Sequence, residues 1–211
     1  MQKNAVTIAY EYIQQRIFTG EWPLGSPISE SQIAHELGLS RSPIREALKK
    51  MEFEGIVNHY YAKGSFVAQI TAQDVEEIFE LRLLIELLAL KTSYNLIPKE
   101  DLIAVKETFL SLTASSVPDQ YHAANKTLHS MIVHYGTSSR LKNYYTMVSS
   151  INTFMTRIVA KDPDHFPNSR IEHLAITEAL LNRDYVAAEC ELSRHIRGIK
   201  EKTARMCGVF R

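Results

Sequence analysis

Apolar positions recur at helical spacing through most of the chain, and one short stretch around residue 60 breaks that rhythm. The first run, Ala5 to Phe18, carries Ile8, Ala9, Tyr12, Ile13 and Ile17 on one face, and Gly20 stops it. Trp22-Pro23-Leu24-Gly25-Ser26-Pro27 cannot continue a helix and reads as an extended connector. A second run begins at Ile28 with Ser29-Glu30-Ser31-Gln32, the form of a capping box, and Gly38-Leu39 supplies a short turn. Ser40 or Ser42 can cap a third helix, Pro43 suits its first turn, and Glu46 favours the dipole. Ile44, Ala47, Leu48 and Met51 then fall at i, i+3, i+4 and i+7. Two helices joined by so short a turn make a helix-turn-helix. The period then changes: Ile56 to Tyr60 and Ser65 to Ala68 are β-rich runs joined by Tyr61-Ala62-Lys63-Gly64, which predicts a hairpin wing.

No strand signal returns downstream. The spacing predicts helices over Ala72–Asn95, Pro98–Thr113, Pro118–Tyr135, Ser138–Ala160, Pro167–Asn182 and Asp184–Met206, with Pro98, Pro118 and Pro167 as first-turn prolines and Asp184 as an N-cap. Short connections between long amphipathic helices imply an antiparallel bundle. The expected fold is therefore mainly α: a winged helix-turn-helix with a small β-hairpin wing over residues 1–70, then an all-α bundle over 71–211.

Charge narrows the function. The 211 residues hold 24 Lys and Arg against 24 Asp and Glu, so no global field draws the protein onto nucleic acid or a membrane. Residues 1–75 alone hold 4 Lys and 3 Arg against 7 Glu and 1 Asp. Any DNA site must be a local patch, which favours a homodimer reading a two-fold-related, sequence-specific site. That patch is the stripe Arg41, Arg45 and Lys49 on the third helix, a plain solvated face or, with the wing beside it, a recognition surface. In the second reading Ser40 and Ser42 contact phosphates or bases, and Lys63 and Gly64 serve at the wing. The start of the chain lacks the apolar core of a signal peptide, and Ile78 to Leu90 is interrupted by Glu80, Arg82 and Glu86 and too short to span a bilayer. A cytoplasmic protein without membrane contact is expected, with Cys190 and Cys207 reduced and given no role.

The bundle segment holds six histidines. Asn125 and His129 lie four apart on one helix, while His173 and His195 come from two others. Imidazoles gathered from separate helices with one oxygen ligand suit a divalent transition metal; the ordinary alternative is histidines hydrogen-bonded within a core. Arg82, in an apolar segment, either pairs with Glu86 one turn on or faces a cavity and binds an effector carboxylate as a fork.

Here the residues meet a known family. Pro23-Leu24-Gly25, Ile28-Ser29-Glu30, Leu39 to Leu48, Glu54-Gly55-Ile56-Val57 and Gly64-Ser65-Phe66-Val67 resemble the DNA-binding domain of GntR-type bacterial transcription regulators. Ala62 departs from it, standing where the wing tip usually has glycine, so the wing is expected either to turn differently or to contact DNA less closely. Glu80-Leu81-Arg82 with Glu86, Asn125 to His129, Glu172 to Ile176, and Asp184 through Ala188 to His195 resemble the FCD ligand-binding domain of the FadR-like branch. The resemblance implies a ligand-responsive transcription regulator, a repressor, whose helical domain binds a small organic acid. It implies a divalent metal (zinc, nickel or manganese) on His129, His173, His195 and Asn125, which stands where the family usually has Asp. It also favours the effector role for Arg82. The rival is a metal-dependent enzyme on the same histidines, but neither His-Glu-x-x-His nor a nucleophile with its base is present, and no enzyme is expected.

Overall fold

The computed structural model describes residues 4–113, 118–159 and 165–206. The chain divides into two compact units, Met1–Thr71 and Ala72–Arg211.

In the first unit α1 (Ala5–Thr19) is capped by Asn4, whose side chain accepts the Thr7 N–H at 2.8 Å, and ends on Gly20 at φ 79°. Helices α2 (Glu30–Leu37) and α3 (Arg41–Phe53) follow. Ser29 caps α2 by accepting from Gln32 N–H, but the Gln32 side chain donates to Glu36, so only half of the expected capping box forms. Gly38 takes φ 63° between the helices, and the Leu39 N–H returns to the Ala34 carbonyl at 3.0 Å. Ser40 occupies the N-cap position of α3 without a side-chain cap bond. Ile44, Ala47, Leu48 and Met51 are buried, as their spacing requires, and so are Ala9, Ile13 and Ile17 of α1, on which α3 packs.

The wing consists of β2 (Val57–Tyr60) and β3 (Gly64–Val67), antiparallel with Val57 opposite Val67 and Tyr60 opposite Gly64. A third strand, β1 (Pro27–Ile28), pairs with the other edge of β3, giving the order β1-β3-β2. It was not expected. Two residues show no alternation to read, and Pro27 suits only an edge. At the wing tip the Lys63 N–H closes on the Tyr60 carbonyl at 3.1 Å, and Ala62 itself adopts φ 60°. The turn thus keeps a left-handed residue despite its Cβ, at a cost of about 1–2 kcal/mol.

The second unit contains, among the described residues, α4 (Ala72–Ser93), α5 (Lys99–Ser111), α6 (Pro118–His134), α7 (Ser139–Val159), α8 (His165–Leu181) and α9 (Tyr185–Met206). Helix α4 packs on α6, α7 and α9, and α8 on α5 and α9. Asp184 caps α9 through the Ala187 N–H at 2.9 Å, and Gly136 at φ 73° follows the end of α6. Pro98 is the N-cap residue of α5 rather than part of its first turn, and α8 starts two residues before Pro167. Arg183 reaches back to the carbonyls of Tyr94 (2.6 Å) and Ile97 (2.8 Å), covering acceptors just beyond α4. No described helix is long and apolar enough to cross a membrane.

Candidate functional site

Helix α4 buries two charged side chains in an otherwise apolar face. Arg82 is 3% exposed and Glu86 0%. Arg82 Nε donates to Glu86 Oε1 at 2.7 Å and Nη1 donates to Asn152 Oδ1 of α7 at 3.3 Å. The ion pair one turn along is thus formed, which removes the large cost of an unpaired buried guanidinium.

Glu86 uses its other oxygen on the histidine cluster. Oε2 lies 2.6 Å from His129 Nδ1. Burial depresses the His129 pKa despite the nearby carboxylate, so the imidazole is neutral and the contact is an Nδ1–H hydrogen bond, not an ion pair. Burial works against the Glu86 charge too, but hydrogen bonds from His129 and Arg82 and the Arg82 charge outweigh it and hold the carboxyl below its ordinary range. On α9, His195 Nδ1 lies 2.7 Å from Oε2 of Glu172, a residue of α8 whose carboxyl burial pushes up. On α8, His173 Nδ1 lies 3.0 Å from the Tyr121 hydroxyl and 3.5 Å from Ser169 Oγ, and its ring stacks on Phe109 at 4.9 Å with 5° between planes.

With the Nδ1 atoms engaged, Nε2 is the nitrogen left to each ring for a further contact. His129 Nε2 and His173 Nε2 are 3.3 Å apart. One potential ligand atom from each of His129, His173 and His195 falls within 4.8 Å of the rest, and all three residues are buried. Two nitrogens at about 2.05 Å from a tetrahedral cation stand roughly 3.3 Å apart. The donor set fits a divalent transition metal: three buried imidazoles, two of them held by carboxylates at Nδ1. Asn125 lies one turn before His129 on α6 and is half-buried. His134 is exposed and bonds the Ser130 carbonyl, and His122 is half-buried. The side chain of His165, and Cys207, lie outside the described residues.

Glu86, Tyr121 and Phe109 were missed as partners of the cluster. Tyr121 precedes Asn125 and His129 by four and eight positions, so a shared helix face was the available signal. Glu172, the chain neighbour of His173, serves the next helix through His195. A cavity of about 660 Å³ between α5 and α6 is lined by residues such as Asp101, Thr108, Gln120 and Thr127, and by none of the three histidines.

In the first unit Ser40, Arg41, Ser42, Arg45 and Lys49 are all exposed, on α3 or at its start. Lys63 is exposed at the wing tip and Gly64 opens β3. Arg45 Nε donates to Glu30 Oε2 at 2.8 Å.

Comparison with known proteins settles the family. Residues 6–67 match the family described as bacterial regulatory proteins, gntR family, and residues 77–198 match the FCD domain. The chain belongs to the GntR family of transcription regulators, with an FCD domain after the winged helix. The enzyme alternative falls with this assignment. The D-xylose utilization operon transcriptional repressor of Paenarthrobacter nicotinovorans, a probable assignment by its description, is 25% identical over 200 residues, 94% of this chain and 88% of that one. Among solved structures, E. coli McbR/YncC superposes with a TM-score of 0.79 over 100% of both chains at 16% identity. The Zn2+-bound FCD domain of TM0439 gives 0.51 at 18% identity over 65% of this chain and 96% of that one. At such identities these two likenesses concern the fold alone.

Proposed function

We propose that this GntR regulator is a cytoplasmic, homodimeric repressor that responds to a small organic acid held in the FCD domain beside a divalent metal. The observation carrying this reading is the convergence of one ring nitrogen from each of the buried His129, His173 and His195, two of whose rings are held by Glu86 and Glu172. His129, His173 and His195 hold the cation, and Asn125 or water adds an oxygen. Zinc, nickel and manganese are the candidates. Bound there, the ion supplies an anchoring point for a carboxylate. A neutral Asn in place of an Asp leaves more of the cation's charge uncompensated, which favours an anionic effector. Arg82, with Nε committed to Glu86, contributes positive charge behind the cluster. The described relatives include a sugar-operon repressor and a zinc-bound domain of the same fold.

On DNA, Arg41 and Arg45 read base edges from the start of α3. Ser40, Ser42 and Lys49 contact phosphates or bases, and Lys63 and Gly64 approach from the wing. Replacing Arg45 with Ala is expected to cost about 1–3 kcal/mol at an operator recovered by selection from random duplexes. Fluorescence titration measures it, and unchanged affinity for Arg41→Ala and Arg45→Ala alike would remove α3 from the recognition role.

The dimer reading has a surface to test. Leu81, Leu84 and Leu88 of α4 are 44%, 65% and 56% exposed, with Glu77 and Lys91 at the two ends of their stripe. Antiparallel pairing of two α4 helices near Leu84 sets Leu81 against Leu88 and Glu77 against Lys91 of the second copy. Leu84→Glu is expected to give a monomer in sedimentation equilibrium with helical content intact; a wild type that sediments as a monomer, free and on DNA, would defeat the homodimer itself.

A further inference from the structure

A carboxylate sits against one of the cations on which the DNA-binding reading relies. Arg45 Nε donates to Glu30 Oε2 at 2.8 Å, with the arginine side chain 60% exposed and the glutamate side chain 27%. An exposed pair of this kind adds little stability, so its interest lies in geometry. A guanidinium has five donors in a planar fork. Once Nε is committed sideways to Glu30, the terminal Nη pair remains for other contacts, and that end-on fork matches O6 and N7 of a guanine.

Glu30 also occupies the first position of α2, directly after the Ser29 cap. Helix N-termini attract phosphate; an ionised carboxylate there answers the dipole itself and repels the DNA backbone. Glu52 lines the same depression of about 340 Å³ as Glu30, Arg45 and Lys49, so a second acid shares the site with these cations. A free arginine would bind any phosphate within reach. One tethered beside a carboxylate is held from the backbone and kept in a single orientation.

Resting on the assignment of Arg45 as a DNA contact, we infer that Glu30 is a specificity-determining positioning residue, which presents the Arg45 guanidinium end-on to a base and withholds it from phosphates. Its effect is to lower affinity for arbitrary DNA while preserving affinity for the operator.

The test compares the full-length chain with Glu30→Ala, Arg45→Ala and the double variant, on the selected operator and on a shuffled duplex, across a range of salt. Glu30→Ala is expected to bind the shuffled duplex more tightly and to lose about tenfold of its operator-to-shuffled ratio, the scale of one degraded base contact. Its logarithmic salt slope on the shuffled duplex steepens by about 0.9 for each phosphate that Arg45 newly neutralises. Both effects vanish in the Arg45→Ala background. A role confined to starting α2 predicts the same loss with or without Arg45, and that result overturns the inference, as does an unchanged ratio in Glu30→Ala. If Arg45→Ala alone leaves operator binding intact, the assignment of Arg45 fails first, and the inference with it. Glu30→Gln guards against loss of fold, since it keeps shape and an acceptor for Nε but no charge. It too is expected to tighten binding to the shuffled duplex, and no change overturns the proposal.

Discussion

His173→Ala is expected to abolish the thermal response to divalent metal. For the wild type, a cation at a hundredfold excess over its dissociation constant stabilises the fold by about 2.7 kcal/mol. The variant loses one of three imidazoles and that increment with it. His173 also stacks on Phe109, so its removal lowers the starting melting temperature as well. The informative quantity is therefore the difference with and without metal, read by differential scanning calorimetry with metal content from mass spectrometry. Asn125→Asp is the converse experiment: a carboxylate in place of a neutral amide is expected to tighten metal binding. Should the wild type retain no zinc, nickel or manganese and melt identically with chelator, the three histidines are structural.

Glu86→Leu is expected to cost about 3–5 kcal/mol, the scale of breaking a buried ion pair and leaving one charge uncompensated. It orphans the Arg82 guanidinium and takes the acceptor from His129 Nδ1 in one step. Adding Arg82→Met is expected to restore much of the loss, because an apolar pair of similar volume needs no counter-charge. Chemical denaturation of the two single variants and the double closes the cycle, and a single variant as stable as wild type would contradict the account. The same network predicts acid lability. His129 has a folded pKa depressed below its ordinary 6.5, so the unfolded chain takes up protons first and stability falls as pH drops below that value. Glu86, also depressed, adds a second loss below its ordinary 4.5. Melting temperatures between pH 7 and 4 follow both.

Much of this architecture was legible because its signals are local. The i, i+3, i+4 spacing of Ile44, Ala47 and Leu48, the Ser29 cap and Asp184 each report on residues one turn away. The grouping of His129, His173 and His195 was legible only through resemblance, since spacing left a metal site and an ordinary core both open. What stayed hidden were partners chosen by tertiary packing. Nothing near Glu172 announces that it serves His195 rather than its neighbour, and nothing around Phe109 marks it as the floor under His173. Strand β1 escaped for a different reason: two residues borrow their conformation from the edge of β3.

The histidine cluster has a consequence in time. Its three histidines come from α6, α8 and α9 and their partner Glu86 from α4, with 43 residues from Glu86 to His129 and 44 more to His173. No single helical hairpin contains the set, so loop closure delays it relative to local structure. The winged helix, by contrast, is complete at Thr71 and has its own core. At ribosomal speeds of 5–20 residues per second, roughly 6–25 s separate synthesis of Thr71 from that of His195. During that interval a nascent chain has already finished its winged helix but not the domain in which the three histidines meet.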